Sequence, residues 1–378
     1  MSSQQVLYLF SSNIRPLYEQ DILDVLAAPS GGVYQFRYEK RWVGPDRGAT
    51  WLTIPEGTPV LVNFSMQQQA RYYDPVFFPI RRGTVKRTFA EGDALFVEFL
   101  LGDLVCLPEA ERDEQGRLQL AAETAKFTSH LALKSVPHPY EASAGLGSDI
   151  FDVDGPLDFE ADQITIFDRL TRYLQPTDSF RDARFLRFLR LAARGENDSV
   201  NPDHDGVFHL VAGTTYTLEL FHHQPVEVTR EDSFLVSVDN AIIRVIGRAG
   251  FEIGSRYDRI AIPLHAVQSD RYEARETVLV IEPGHGVRGP QLRLRLRVDP
   301  PAKRLVAGTV GSTLALGILG SVALWPVATA ARVGAIVFAL ALIAGLNLLG
   351  LYSSALASAK WPSLPGSGSA GTPAGHAR

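Results

Sequence analysis

Short apolar runs separated by turn residues dominate the first 160 positions. Val6 to Phe10, Val33 to Tyr38, Trp51 to Ile54, Val60 to Phe64, Val76 to Ile80 and Ala94 to Phe99 all have strand length and are rich in β-branched and aromatic residues. Pro55-Glu-Gly-Thr-Pro and Ala90-Glu-Gly-Asp punctuate them as turns. Between the first two runs, Leu17, Ile22, Leu23, Val25 and Leu26 predict one amphipathic helix over Pro16 to Ala27. Many short strands at close spacing predict a small β barrel or sandwich over residues 1–160.

The period then changes. Residues 161–205 read as a helical linker pair broken at Pro176. In its second half, Ser179 to Arg194, a 100° step puts Phe185, Leu186, Phe188, Leu189, Ala192 and Ala193 on one arc. Arg184, Arg187, Arg190 and Arg194 fall on the opposite arc, a basic face suited to a bilayer interface, a partner protein or a phosphate-bearing ligand.

Residues 206–300 return to strands, beginning at Phe208, Thr214, Ser233, Ala241, Arg259, Glu276 and Gln291. Their number and spacing predict an immunoglobulin-like β-sandwich, without the cysteine pair and Trp of antibody domains. The last strand alternates most strictly. Leu292, Leu294, Leu296 and Val298 point one way and Arg293, Arg295 and Arg297 the other.

Downstream the pattern has no polar phase at all. Leu305 to Trp325 and Val333 to Leu356 contain no charged residue, and each exceeds the roughly 20 residues a helix needs to cross a bilayer. The seven residues between them, Pro326 to Arg332, are too few for a domain, so residues 301–356 are expected to form a two-helix transmembrane hairpin. Lys303 and Arg304 before the first run and Lys360 after the second outnumber Arg332 in the loop. The positive-inside bias therefore places the strand-rich part and both termini in the cytoplasm, at the bacterial inner membrane. The absence of a basic n-region and long apolar stretch among the first twenty residues agrees with that side. Neither run holds an ionisable residue, which argues against an ion pathway. Small residues four apart, such as Gly308 and Ser312, allow helix packing within the hairpin or between copies as a homo-oligomer. Residues 357–378, rich in Gly, Ser and Pro, read as a disordered tail.

Composition alters this picture little. The 378 residues carry a net charge of −5, so nucleic acid is an unlikely partner on global electrostatics. One cysteine, Cys106, excludes an intrachain disulfide and any multi-cysteine metal site.

Three clusters carry candidate chemistry. Arg293, Arg295, Arg297, Lys303 and Arg304 gather cations near the expected membrane entry, where each favours anionic headgroups. Arg81, Arg82, Lys86 and Arg87 lie near Tyr72, Tyr73, Phe77 and Phe78, a composition that can stack and neutralise a nucleotide. Asn201-Pro-Asp-His-Asp-Gly resembles the start of a calcium loop, but Ala212 stands where a bidentate glutamate is needed, so a polar interdomain loop is the better reading. His222 and His223 are adjacent on an expected strand and point to opposite faces, which disfavours a shared metal. No nucleophile elbow, phosphate-binding glycine loop or metalloprotease helix is present. No catalytic residue, cofactor or metal is therefore expected. The sequence reads as a membrane-anchored cytoplasmic module that binds a protein or small ligand. The alternatives are a defence or stress effector whose helices oligomerise to permeabilise the membrane, and an enzyme with an unfamiliar site in residues 1–160.

Overall fold

The computed structural model describes residues 5–12, 16–43, 49–68, 71–107, 144–148, 162–174, 180–196, 198–224, 232–253, 255, 257–268, 273–301, 313, 317–318 and 333–341. Residues 1–267 and 276–298 belong to one compact unit, and 268–275 with 299–378 to a second.

In the first unit, six strands make one mixed sheet. They are β1 (Gln5–Ser12), β2 (Val33–Glu39), β3 (Pro59–Gln68), β4 (Arg71–Glu91), β5 (Ala94–Leu104) and β6 (Ala144–Ser148). The order is β2-β5-β4-β3-β1-β6, with β1 parallel to β3 and antiparallel to β6. That order is linear among the described residues, so they form an open sheet and not the barrel the strand spacing allowed. Strand β1 is buried on both faces: Leu7 and Leu9 join the main core, while Val6, Tyr8 and Phe10 pack with Leu61, Phe77 and Leu107. Burial on both sides explains why its sequence is a continuous apolar run.

Helix α1 (Pro16–Ala27) covers one face of this sheet with Ile22, Leu23, Val25 and Leu26, as its spacing predicted. Helix α2 (Gln163–Leu174) adds Ile166, Phe167, Leu170 and Leu174 to the same core. Trp51 to Ile54 forms no strand: Thr50–Thr53 is a short 3-10 turn that buries the Trp51 ring near Tyr38.

The remaining strands are β7 (Phe185–Ala193), β8 (Val207–Val211), β9 (Thr215–His223), β10 (Asp232–Ser237), β11 (Ile243–Val245), β12 (Gly250–Ile253), β13 (Tyr257–Ala266), β14 (Arg275–Pro283) and β15 (Leu292–Asp299). They form a four-stranded sheet, β11-β13-β9-β7, and a five-stranded sheet, β12-β10-β14-β15-β8. Leu218, Leu220 and Leu264 from the first interleave with Phe234, Ile281, Leu292, Leu294 and Leu296 from the second, giving a β-sandwich core. Strand β15 alternates as its sequence predicted, with its leucines buried and Arg293 and Arg295 exposed.

The segment expected as a helix from Ser179 to Arg194 is instead strand β7, paired antiparallel with β9 from Phe185↔His223 to Ala193↔Tyr216. A register shift between Phe188 and Arg190 inserts one extra residue. Leu186, Phe188, Leu191 and Ala193 therefore all face the sandwich core, although their spacing is not strictly two. Phe185 belongs to the other core, on the α1 and α2 side. An apolar strand buried on both faces and broken by a bulge imitates helical periodicity, and the arginine arc read from that periodicity does not exist.

The two uncharged C-terminal runs lie mostly outside the described residues, as do Lys303, Arg304 and the tail. Among the described residues no helix is long and apolar enough to cross a membrane. Residues 333–341 are helical.

Candidate functional site

Helix α1 places its apolar residues on the sheet, which leaves Gln20, Asp21 and Asp24 on another face at helical spacing. The Gln20 side-chain amide donates to Asp24 Oδ1 at 2.7 Å, and the backbone N–H of Gln291, just before β15, donates to the same oxygen at 2.7 Å. Across from them on β2, the Tyr34 hydroxyl lies 3.2 Å from Asp21 Oδ1 and 3.5 Å from Asp24 Oδ2, so its one proton has two acceptors.

This neighbourhood shifts both acids upward. Burial pushes Asp21 to about 7; the Tyr34 hydrogen bond opposes the shift and the nearby Asp24 adds to it. Burial likewise lifts Asp24 to about 6, against hydrogen bonds from Gln291 and Gln20 and the positive charge of Arg293. The Tyr34 phenol moves well above its ordinary value because it is buried beside two carboxyls. Partly buried groups with displaced pKa values beside a cleft mark a place where chemistry or binding can occur.

The cleft has a volume of about 330 Å³, with Asp24, Val33 and Tyr34 on one wall and Phe208, Arg293 and Arg295 on the other. Its floor depends on a close approach of two turns. Gly206 has φ +73°, and a Cβ there would sit 2.9 Å from the Val33 backbone nitrogen. Beside it, Lys86 on β4 reaches Asp205 at 2.5 Å, and Arg288 pairs with Glu19 of α1.

The residues singled out by sequence divide into three groups. Arg293 and Arg295 are exposed at the cleft, donating to Gln291 Oε1 at 2.7 Å and to the Asp205 carbonyl at 3.1 Å; Arg297 stands next on that face, 3.5 Å from Glu276. Arg81 and Arg187 are buried structural groups at the end of α1. Arg81 donates to the carbonyls of Val25, Ala28 and Gly102, and Arg187 to those of Leu26 and Ala28. The others are dispersed. Arg190 pairs with Glu219 at 2.6 Å, Arg184 donates to the Asp182 carbonyl, and Arg194 is exposed beyond β7. Arg87 pairs with Glu98, while Arg82, next to the buried Arg81, is partly exposed. Phe77 and Phe78 are core residues against Phe10 and Tyr173. Arg81, Arg82, Lys86 and Arg87 therefore do not share one surface.

The calcium-like segment is an Asx turn. Asp203 Oδ1 accepts from the backbone N–H of Asp205 and Val207, and its other oxygen meets His209 Nε2 at 3.0 Å. Asp203, His204 and Asp205 bring ligand-type atoms within 4.8 Å of one another, but Lys86 and His209 already occupy the two carboxylates. His222 and His223 do face opposite ways: His223 Nδ1 meets Thr171 of α2 at 2.7 Å, while His222 packs edge-on to Phe234. Sequence reasoning missed Asp21, Asp24 and Tyr34. The spacing of the two acids on a predicted amphipathic helix was visible, but what packs over that face was not.

No family model matches the chain, and no curated protein matches it. Among solved structures, a GH5 xyloglucanase from Bacteroides ovatus aligns over 29% of this chain and 19% of its own, at 10% identity and a TM-score of 0.18. Domains 4 and 5 of the S-layer protein SbsC align over 30% and 52%, at 13% identity and a TM-score of 0.18. Alpha-2-macroglobulin from E. coli aligns over 30% and 7%, at 16% identity and a TM-score of 0.18. The chain spans less than two-thirds of each of these proteins, and likeness at this level carries no argument about fold or activity.

Proposed function

We propose that this chain is a membrane-anchored binding module without catalytic activity. Its strand-rich unit, with an immunoglobulin-like sandwich, recognises a ligand on the cytoplasmic side, and a hairpin formed by the two uncharged runs holds it at the bilayer. The observation that carries the binding half is the cleft, where the exposed guanidiniums of Arg293 and Arg295 share the lining with the partly buried Asp24 and Tyr34. Concave sites with a few convergent polar groups are where small ligands bind.

Support for the anchor comes from the helical residues 333–341. Val333, Ile336, Val337, Phe338 and Leu340 are each between 40% and 60% exposed there. Large apolar side chains left in the open along one short stretch call for an apolar partner, and the position of this stretch inside the second uncharged run of bilayer-spanning length supports lipid as that partner.

The anchor is tested by alkaline carbonate extraction of membranes containing the full chain. Retention in the pellet is the expected result, and release into the supernatant would remove the anchor from the proposal. Protease digestion of the strand-rich unit only in inverted vesicles is expected from the orientation; digestion only in right-side-out vesicles would reverse it. Dye release from vesicles on oligomerisation would favour a permeabilising effector.

A further inference from the structure

We infer that the cleft binds a phosphate-bearing group through the paired guanidiniums of Arg293 and Arg295, an assignment that rests on reading the cleft as the recognition surface. The two arginines stand at i and i+2 on β15, on the same face of the sheet and about 7 Å apart along the strand. Among the described residues they are the part of the basic stripe without a salt bridge, although the charge of Arg293 is felt by Asp24. Arg297 is 3.5 Å from the Glu276 carboxylate, whereas Arg293 and Arg295 make their hydrogen bonds to the Gln291 amide oxygen and the Asp205 carbonyl, both neutral. The Asp205 carboxylate, which could have neutralised Arg295, is engaged by Lys86.

Each guanidinium offers a planar fork of donors suited to two oxygens at once. A carboxylate presents one such edge and satisfies one fork. A tetrahedral phosphate presents several edges and can take both. On the facing wall Asp24 sets the opposing term: its carboxyl oxygens are directed at Gln20, Gln291 and Tyr34, and its negative charge opposes an anion in the cleft.

The chemistry is shared by a lipid headgroup and by a soluble phosphate ester. The test is titration calorimetry on the full-length protein in a nonionic detergent, with inorganic phosphate and short-chain phosphatidic acid as separate probes. Binding is expected to weaken about tenfold in Arg293→Gln and again in Arg295→Gln, with no change in melting temperature. Asp24→Asn keeps the oxygen that accepts from Gln291 and is expected to tighten binding severalfold. Opposite signs in the two variants cannot come from misfolding. Tighter binding of phosphatidic acid than of inorganic phosphate supports the headgroup as the source; equal affinities support a soluble ester. Absence of binding to both probes, or binding that survives the double arginine variant, would overturn the inference. Because the anchor is read by carbonate extraction, a protein that resists extraction yet ignores phosphate keeps the anchor and loses only this assignment.

Discussion

Arg81 of β4 and Arg187 of β7 donate to the same atom, the Ala28 carbonyl oxygen, at 2.7 and 3.3 Å. Helix α1 has no basic residue in its last turn, so its C-terminal carbonyls and the negative end of its dipole are met from outside. The two guanidiniums do this together, one from the six-stranded sheet and one from the sandwich. Burial lowers both from their ordinary values, Arg81 far and Arg187 to about 10; the charge of Arg187 lowers Arg81 further, and Asp103 opposes the shift at both. Both remain charged at neutral pH.

Replacing either arginine strands buried carbonyls. Arg81→Met is expected to cost about 3 kcal/mol, since four hydrogen bonds are lost, and Arg187→Met about 2 kcal/mol. The double variant should cost more than the sum, because each single change relieves the same like-charge contact and still leaves the Ala28 carbonyl one donor. Denaturant unfolding of the four proteins of the cycle measures this. A double variant that costs less than the sum would mean that the two arginines support each other.

The acids on α1 predict an unusual pH profile. In the folded chain Asp21 holds its proton to about pH 7 and Asp24 to about pH 6, against 3.8 as the ordinary value. A raised folded-state pKa means stability that is fully present below about pH 4 and is lost as pH rises through 6 and 7, by roughly 1.4 kcal/mol for each unit between the two pKa values. The groups facing these acids are Tyr34, Gln20, the Gln291 N–H and Arg293. Asp21→Asn should flatten the profile and raise the melting temperature at pH 8. A wild-type melting temperature that is level from pH 4 to 8, with every other group held in common by the variant, would contradict the burial argument.

His222 makes a third case. It is fully buried, neither ring nitrogen has a hydrogen-bond partner among the described residues, and burial beside Arg184 and His223 lowers its pKa to about 3. An unsatisfied buried polar group costs about 1–3 kcal/mol. His222→Leu is therefore expected to raise the melting temperature. It should also remove the part of the acid sensitivity that develops as pH falls from 6.5 towards 3, where the unfolded chain gains a proton that the folded ring refuses. A melting temperature lowered by this change would instead give the ring a binding role.

Much of this architecture could be read from local pattern alone. The alternation of β15 and most of the apolar face of helix α1 follow their periodicities, because each buries one face against one core; Leu17, counted with that face, is instead 68% exposed. Strand β7 could not be read that way. Both its faces are covered and its bulge disguises the period of two, so only its partner β9 decides its conformation. The site shows the same division. Arg293 and Arg295 stood out as a polar phase on a single strand. Asp21, Asp24 and Tyr34 stand close together in sequence but acquire their character from burial, and the Gln291 N–H and Arg293 that meet Asp24 come from the far end of the chain, which no local window contains. The segment at Asp203 was legible as a loop, but the cation it meets, Lys86, is more than a hundred residues away.

Strand β7 has a wider consequence. Leu186 and Leu191 complete the sandwich core, while Phe185 completes the core beneath α1 and α2. One strand thus serves as a party wall between two rooms. Neither room can be vacated without opening the other, since lifting β7 away exposes apolar surface on both of its sides at once. The open sheet and the sandwich, which look separable when drawn as a succession of strands, are in that sense a single cooperative structure, and a recombinant boundary placed anywhere between α1 and β9 would leave both halves without a finished interior.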